Sequence, residues 1–140
     1  MSASTKLSNS VKALCFLARN SPEPQSSATI SRHTGVNASK LRKLLSDLAT
    51  IGVVTTSKGA SGGYVLARRP QEIHLQEIYC AIEDRKAFHL DVTATDSKNG
   101  GQPAAVNRYF LDLFNEIQVE IENKMENLSL ASIIDTISRK

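Results

Sequence analysis

The sequence has few cysteines, few aromatic residues and no long apolar run. Its 140 residues include two cysteines, no tryptophan and 5% aromatic residues. Two cysteines are too few for the disulfide framework of a small secreted domain, and they indicate a reducing compartment. No stretch approaches the roughly 20 apolar residues of a membrane span, and no signal peptide opens the chain. These absences predict a cytoplasmic protein without membrane contact, formed by one domain or by one domain with an added element.

Groups that would support catalysis or a metal centre are also missing from the sequence. The three histidines, His33, His74 and His89, are too scattered to form a metal site. His89 with Asp91 is the only pair of candidate ligands in its region, and two ligands are weak support for a site. No nucleophile elbow or paired-carboxylate arrangement is present. The sequence therefore predicts that the protein is not an enzyme.

Charge is distributed unevenly along the chain. Residues 1–70 hold ten lysines and arginines against two acidic residues, whereas residues 71–140 hold seven against twelve. The formal net charge of the whole chain is only +3. A basic half joined to an acidic half is typical of a nucleic-acid-binding module with a second element attached.

The stretch 37–70 is the most informative part of the basic half. Asn37 is a suitable N-cap, leucines then recur at helical spacing up to Ile51, and Gly52 ends the helix. Two β-branched or apolar runs follow, 53–56 and 64–67, with a glycine-rich tip between them. A basic helix followed by a basic β-hairpin is the winged helix-turn-helix arrangement, in which the helix enters a major groove and the hairpin lies on a neighbouring minor groove or phosphates.

The remaining patterns are mostly helical. Helix one is predicted to end near Asn20, a short helix is predicted over 28–34 with Ser26 or Ser27 as its cap, and another follows the hairpin between Leu75 and about residue 84. Periodicity is lost over 85–103, which is predicted to be a long loop. We therefore expect a mainly α fold with a small β-hairpin wing (α+β), that is, a winged helix-turn-helix plus a long C-terminal dimerisation helix.

The hairpin region resembles a known family. The string S-K-G-A-S-G-G-Y-V-L-A-R-R-P, followed by I-H-L-Q-E-I-Y-C-A-I-E, is similar to the wing and following helix of the Rrf-two family of bacterial transcription regulators. The family pattern is roughly R-G-x-x-G-G-Y-x-L-A-R-x-P, then I-T-L-x-D-I, then A-I-E. This chain has Lys58 where the family usually has arginine and His74 where it usually has threonine. The resemblance covers about the first ninety residues well and the last forty loosely.

The resemblance implies DNA binding by the helix and the hairpin tip. Arg42 can donate two hydrogen bonds to a guanine, and Lys43 can reach a base or a phosphate. Lys58 at the tip is expected to contact either the minor groove or a phosphate. Some members of the family have acidic or amide residues at 42 and 43, so the target of this chain should differ from theirs. The full predicted set is Asn37, Ser39, Lys40, Arg42, Lys43, Ser57, Lys58 and Ser61.

The cysteines predict that no iron–sulfur cluster is present. Many members of the family bind a cluster through three cysteines in the loop after A-I-E, but residues 85–102 of this chain contain none. A cluster normally needs four ligands, mostly thiolates. Cys15 and Cys80 are instead predicted to pack in the core. An alternative for Cys80 is a redox-sensing thiol, which would need an accessible thiolate with a lowered pKa.

The C-terminal third predicts dimerisation. Apolar residues recur there at spacings of four, three, four, four and three residues, as in a coiled-coil seam. A partner subunit is the expected cover, and folding back onto the chain's own body is the alternative. The predicted seam is Phe110, Phe114, Ile117, Ile121, Met125 and Leu128, with a short closing helix at 128–137. The expected organisation is a DNA-binding domain at 1–84, a flexible regulatory loop at 85–102, and a dimerisation helix with its closing segment at 103–140.

Together these features predict a homodimeric, sequence-specific regulator, most simply a repressor, that binds a pseudo-palindromic site on double-stranded DNA. The sequence does not choose among three kinds of effector: a small molecule, a redox change or a partner protein. One alternative is a thiol or metal sensor that uses Cys80, or His89 with Asp91. Another is a winged-helix protein-interaction module that does not bind DNA.

Overall fold

The computed structural model of the protein describes residues 5–83 and 101–139. Three helices come first: α1 (Thr5–Asn20), α2 (Ser27–Thr34) and α3 (Ala38–Thr50). The antiparallel hairpin of β1 (Val54–Ser57) and β2 (Gly63–Leu66) follows, then a 3-10 turn (Pro70–Glu72) and α4 (Leu75–Ile82). The C-terminal part holds α5 (Gly101–Glu126) and α6 (Leu130–Ser138). This is the mainly α winged helix-turn-helix that the sequence predicts.

α2 and α3 begin and end where their capping residues predict. Ser26 caps α2 by accepting a hydrogen bond from the backbone N–H of Thr29 at 3.1 Å. Gly35 follows α2 with a left-handed backbone, φ 76°, which a glycine adopts without strain. Asn37 caps α3, and Gly52 follows its end with φ 77°. The predicted caps at Ser26 and Asn37, and the glycine stop at Gly52, are therefore confirmed.

Both strands of the hairpin lie one residue nearer to the tip than the sequence predicts. Val53 was assigned to the first strand, but its N–H donates to the Leu48 carbonyl at 3.0 Å and completes the end of α3. Ala67 was assigned to the second strand, but it only donates its N–H to the Val53 carbonyl at 2.9 Å beyond the paired residues. The strands therefore occupy 54–57 and 63–66.

One core lies beneath α1 to α4 and reaches α6. Leu14, Leu41, Leu45, Ile78 and Leu130 are all fully buried in it. α6 is attached through the backbone, since the N–H of Leu130 donates to the Ile73 carbonyl at 2.7 Å and the N–H of Leu75 donates to the Leu128 carbonyl at 2.8 Å. The predicted short closing helix is thus confirmed, although it begins two residues later than predicted, and it packs on the N-terminal winged-helix part.

α5 begins earlier than the sequence predicts. The loop was predicted to extend to Pro103, whereas the helix starts at Gly101 and includes Pro103 in its first turn. Proline is tolerated there because the first N–H groups of a helix have no partner within the helix. The rest of the predicted loop, at 85–100, lies outside the described residues. Within the described residues, no helix is long and apolar enough to cross a membrane.

Candidate nucleic-acid interface

α3 has one apolar face and one polar face. Leu41, Leu44, Leu45 and Leu48 are buried. Successive residues of an α-helix lie about 100° apart, so Lys43 lies near the middle of the opposite, exposed face. The other exposed residues of that face are Ser39, Ser46 and Thr50 along its centre, with Arg42 on one side and Lys40 on the other.

The N-terminus of α3 is held by its cap. The Asn37 Oδ1 accepts hydrogen bonds from the backbone N–H groups of Ser39 at 2.9 Å and Lys40 at 3.2 Å. The predicted DNA contact of Asn37 is therefore limited to its side-chain amide group, because the oxygen is engaged inside the protein. The side chains of Ser39 and Lys40 point outward and are exposed.

Two of the basic residues on α3 differ in what they contact. The Lys43 Nζ lies 2.9 Å from the Asp47 Oδ1, in an ion pair between residues one helical turn apart. Arg42 is exposed and has no hydrogen-bond partner in the described part of the chain. Its five N–H donors are therefore available to a ligand such as a guanine edge or a phosphate.

The wing is attached to the body by a third strand-like segment. Gln25 and Tyr64 exchange two backbone hydrogen bonds, of 3.0 and 2.8 Å. A Cβ on Gly63 would lie 2.5 Å from the backbone carbonyl of Gln25, so only glycine permits this approach. The tip extends beyond this contact, and the predicted residues Ser57, Lys58 and Ser61 are all exposed there.

Arg68 connects the base of the wing to α3 and α4. Its guanidinium donates to the Gly52 carbonyl at 3.4 Å, to the Glu72 carbonyl at 3.0 Å and to both carboxylate oxygens of Glu77. Glu77 also accepts a hydrogen bond from the backbone N–H of His74 at 3.0 Å, at the start of α4. Arg68 is therefore a structural residue, although it contributes to the basic charge of its half of the sequence.

The environment of Glu77 changes its acidity. Partial burial raises the pKa of this carboxyl and is the largest single influence on it. The hydrogen bonds from Arg68 and His74, together with the positive charge of Arg68, act in the opposite direction and outweigh the burial. The net result is a Glu77 pKa below its ordinary value, so the ion pair with Arg68 is intact at neutral pH.

The cysteine predictions have different outcomes. Cys15 is half-buried and packs against the core, as predicted. Cys80 was predicted to be in the core but is exposed on α4, because α4 buries Ile78, Tyr79 and Ile82 and turns residue 80 away from them. Its Sγ accepts a hydrogen bond from the Gln76 Nε2 at 3.2 Å. Partial desolvation and the negative charge of Glu122 raise the pKa of the Cys80 thiol, which disfavours the thiolate.

The described residues do not fit a metal cluster. No group of three or more histidine, cysteine or acidic side chains comes together within 5–83 and 101–139. The whole chain has two cysteines, fewer than the thiolates that an iron–sulfur cluster normally uses. The remaining predicted pair, His89 and Asp91, lies outside the described residues.

α5 has one side against its own chain and one side exposed. Gln118 and Met125 are buried on the side that faces α4, and the Gln118 Nε2 donates to the Tyr79 hydroxyl at 3.4 Å. Met125 of the predicted seam is thus already covered within the single chain. Phe110 is 41% exposed. The other four seam residues, Phe114, Ile117, Ile121 and Leu128, are half-buried.

The exposed side of α5 extends beyond the predicted seam. Val106 is 47% exposed and Tyr109 is 63% exposed, beside Phe110. The ring centroids of Tyr109 and Phe110 are 5.4 Å apart, and the ring of Phe114 continues the row. We call Val106, Tyr109 and Phe110 the α5 apolar patch.

Three residues on or beside the exposed face of α3 are absent from the set predicted from the sequence. Ser46, Asp47 and Thr50 follow Lys43 along α3, and all three lie on or beside its exposed face. The signal was available, because residues three, four and seven positions after Lys43 share its side of a helix.

Comparison with known proteins agrees with this geometry. A family model described as Rrf2, iron-dependent transcriptional regulator, matches residues 3–136. The helix-turn-helix-type transcriptional regulator IscR of Pectobacterium atrosepticum is 30% identical over an alignment of 142 residues including gaps. The alignment spans 93% of this chain and 84% of that protein. These relatives are transcriptional regulators and not enzymes.

Solved structures share the same fold. The T. potens IscR structure has a TM-score of 0.72 and 25% identity, and the match covers 98% of this chain and 88% of that one. The structure of CymR, the global cysteine regulator of B. subtilis, also has a TM-score of 0.72 at 23% identity, with 97% and 98% covered. The second likeness shows the fold alone.

Proposed function

Since the chain belongs to the Rrf2 family of transcriptional regulators, we propose that it is a homodimeric, sequence-specific DNA-binding repressor of the bacterial cytoplasm. In this proposal α3 of each protomer enters a major groove, and the wing tip contacts the adjacent backbone or minor groove. The observation that carries the proposal is the polar face of α3. It presents Lys43 opposite the buried leucines, with Arg42 on one side of it and Lys40 on the other.

The residues divide into base-reading and phosphate-binding roles. Arg42 has unoccupied donors and lies within the first two turns of α3, so we assign it to a base edge. Lys40 and Lys58 carry flexible ammonium groups and are assigned to phosphates, which position the protein without reading sequence. Four uncharged side chains are assigned to hydrogen bonds with the DNA backbone or bases: the hydroxyls of Ser39, Ser57 and Ser61, and the amide of Asn37.

Selection of bound duplexes from a random DNA pool tests the proposal. The expected result is a motif with two-fold symmetry whose half-sites are separated by about one turn or a multiple of it. Arg42→Ala should relax the preference at one position per half-site, with a loss of about 1–3 kcal/mol on the selected sequence. Lys124→Ala removes the same charge from α5 and serves as the control. Absence of any binding at low salt, where phosphate contacts are strongest, would instead favour a protein-interaction module.

The proposed dimer uses the exposed side of α5. A second copy would bury the α5 apolar patch, which a monomer leaves in water at a free-energy cost that grows with apolar area. Phe110→Asp places a charge in the patch and should convert dimers to monomers in sedimentation equilibrium. Asn123→Asp introduces the same charge at an exposed, polar position of α5 and should leave the association unchanged. An unchanged dimer in Phe110→Asp would reject this interface.

We further propose that the protein works without an iron–sulfur cluster. This part rests on the two cysteines, one half-buried in α1 and one exposed on α4. Anaerobic purification followed by absorption spectroscopy and analysis of iron and acid-labile sulfide tests it. A stoichiometric cluster in the purified dimer would overturn the proposal.

The accessible thiol of Cys80 supports a second candidate, regulation by oxidation. Its exposure favours this candidate, whereas its raised pKa slows reaction with oxidants at neutral pH. DNA binding by the wild type and by Cys80→Ser, measured before and after peroxide treatment, shows whether the Cys80 thiol carries a response to oxidation. An identical response in both proteins would eliminate the thiol sensor.

A further inference from the structure

Lys43 occupies the centre of the α3 face but is paired inside the protein. Its side chain is 76% exposed, whereas that of Asp47 is 25% exposed, and the two charges meet at 2.9 Å. Asp47 is the only acidic residue in α3. The lysine best placed to reach DNA is therefore the one whose ammonium group is already engaged by a carboxylate.

The position of Asp47 is unfavourable for the stability of the helix. It lies three residues before the end of α3, near the negative end of the helix dipole, where an acidic residue is disfavoured. A basic residue placed one turn before an acidic one is also the weaker orientation of such a pair. Helix stability alone does not account for a carboxylate at this position.

We propose that Asp47 is a specificity-determining residue that acts on DNA through Lys43. The inference rests on the proposed function, since it requires α3 to lie in the groove. A carboxylate oxygen binds the ammonium group in the way a phosphate oxygen would. Random DNA must therefore displace Asp47 to gain a phosphate contact with Lys43, and it must also bring its own phosphates close to the negative charge of Asp47.

Asp47 has a different effect on binding to the specific palindromic site, which we call the operator. With its stem fixed along the helix, the Lys43 ammonium is presented to base edges in the middle of the face, where it can donate to guanine O6 or N7 without leaving Asp47. An ammonium group has three donors, so in the middle of the face it can serve Asp47 and a base edge together, whereas a phosphate at the edge of the groove is reached only when the lysine stem swings away from Asp47. Asp47 thus lowers affinity for random DNA more than for the operator, and the ratio of the two affinities is the quantity that defines specificity.

Asp47→Asn tests this inference in the full-length protein. The probes are the duplex obtained from the random-pool selection and a scrambled duplex of the same length and composition. We expect the variant to bind the scrambled duplex about fivefold more tightly, with a salt slope steeper by about 0.9 because one more phosphate contact forms. Affinity for the selected duplex should change less than twofold, by the argument of differential affinity.

Two further variants identify the cause. In a Lys43→Gln background the effect of Asp47→Asn should disappear, since no ammonium group remains to be released. Asp135→Asn is the matched control, because Asp135 also pairs with a basic residue one turn away, Arg139, at 2.7 Å, but on α6. This control should leave both affinities unchanged.

Several results would overturn the inference. Equal tightening on both duplexes would make Asp47 a plain repulsive charge, and so would an effect that persists in the Lys43→Gln background. Weaker binding to the selected duplex alone would mean that Asp47 contacts a base itself. If the wild-type protein binds no DNA, the proposed function and this inference fall together. If the wild type binds but the affinity ratio stays constant in Asp47→Asn, only this inference fails.

Discussion

Arg68 is expected to be the most important single polar side chain for the stability of the winged-helix part of the protein. Its guanidinium joins the end of α3 through Gly52, the 3-10 turn through Glu72 and α4 through Glu77. The Arg68 and Glu77 side chains are about a third exposed, at 32% and 31%. The groups left behind by a substitution can therefore regain part of their hydration.

The size of the effect follows from that exposure. A hydrogen bond to a charged group contributes about 1.5–3 kcal/mol when it is buried, and much less at the surface. Arg68→Ala removes one strong ion pair and two bonds to carbonyls, so we expect a loss of about 2 kcal/mol in the free energy of unfolding. Arg68→Lys keeps the charge but not the planar fork, and should lose about half as much.

Urea unfolding followed by circular dichroism measures these changes. Arg69→Ala is the matched control. Arg69 forms a comparable pair with Glu72 at 3.0 Å, but it is 74% exposed, so no measurable loss is expected. An Arg68→Ala protein within about 0.5 kcal/mol of the wild type, the usual range for surface substitutions, would refute the reasoning.

The same pair predicts how stability depends on pH. The pKa of Glu77 is lower in the folded protein than in the unfolded chain, so the unfolded chain binds more protons between the two values. The stabilisation is therefore fully present above the unfolded pKa, about 4.3, and is lost as the pH falls through the folded pKa. Glu77→Gln should be less stable than the wild type at pH 7, and the difference should begin to shrink below the unfolded pKa of about 4.3 and vanish as the pH falls through the folded pKa. A difference that persists at low pH would show that the ion pair is not its source.

The remaining predictions concern the wing, the cap of α3 and the α4–α5 contact. Gly63→Ala places a Cβ 2.5 Å from the Gln25 backbone and should cost about 1–3 kcal/mol in urea unfolding, while Ser61→Ala at the exposed tip should cost nothing measurable. Asn37→Ala should lose about 1 kcal/mol by the same assay and Asn37→Asp should retain the cap, so equal losses would contradict the capping role. Tyr79→Phe removes the hydroxyl that accepts from buried Gln118 and should cost about 1 kcal/mol; a neutral result would mean that Glu122, 3.2 Å from the same nitrogen, suffices.

The local signals in the sequence predict most of the winged-helix part because they act over one or two helical turns. Asn37 and Gly52 mark the ends of α3 through hydrogen bonds and backbone conformations that involve only neighbouring residues. Arg68 and Glu77 are nine residues apart and on different elements, so no helical or strand period links them. Their contact depends on how the 3-10 turn returns the chain to the end of α3, and the sequence alone does not contain that geometry.

The wrong prediction for Cys80 came from reading sequence neighbours as spatial neighbours. Tyr79 and Ala81 are apolar, but residues adjacent in a helix point about 100° apart and do not face each other. Leu75, Ile78 and Ile82 define one side of α4, and residue 80 falls on the other. The periodicity that predicted the helix was thus sufficient to predict the exposed thiol as well.

α5 shows why an apolar repeat does not identify what covers it. The predicted seam, for example at Phe114 and Ile121, lies between two surfaces that are about a third of a turn apart around the helix. On one side, Gln118 and Met125 are buried on their own chain, and an apolar repeat does not include Gln118 because it is polar. On the other side, the α5 apolar patch is left exposed. In the proposed dimer, one surface fixes α5 to α4 and the other fixes it to the second copy, so the packing of α5 sets the distance between the two α3 helices. A signal that alters either surface would change the distance between the two α3 helices, and with it how well they fit two DNA half-sites of fixed spacing.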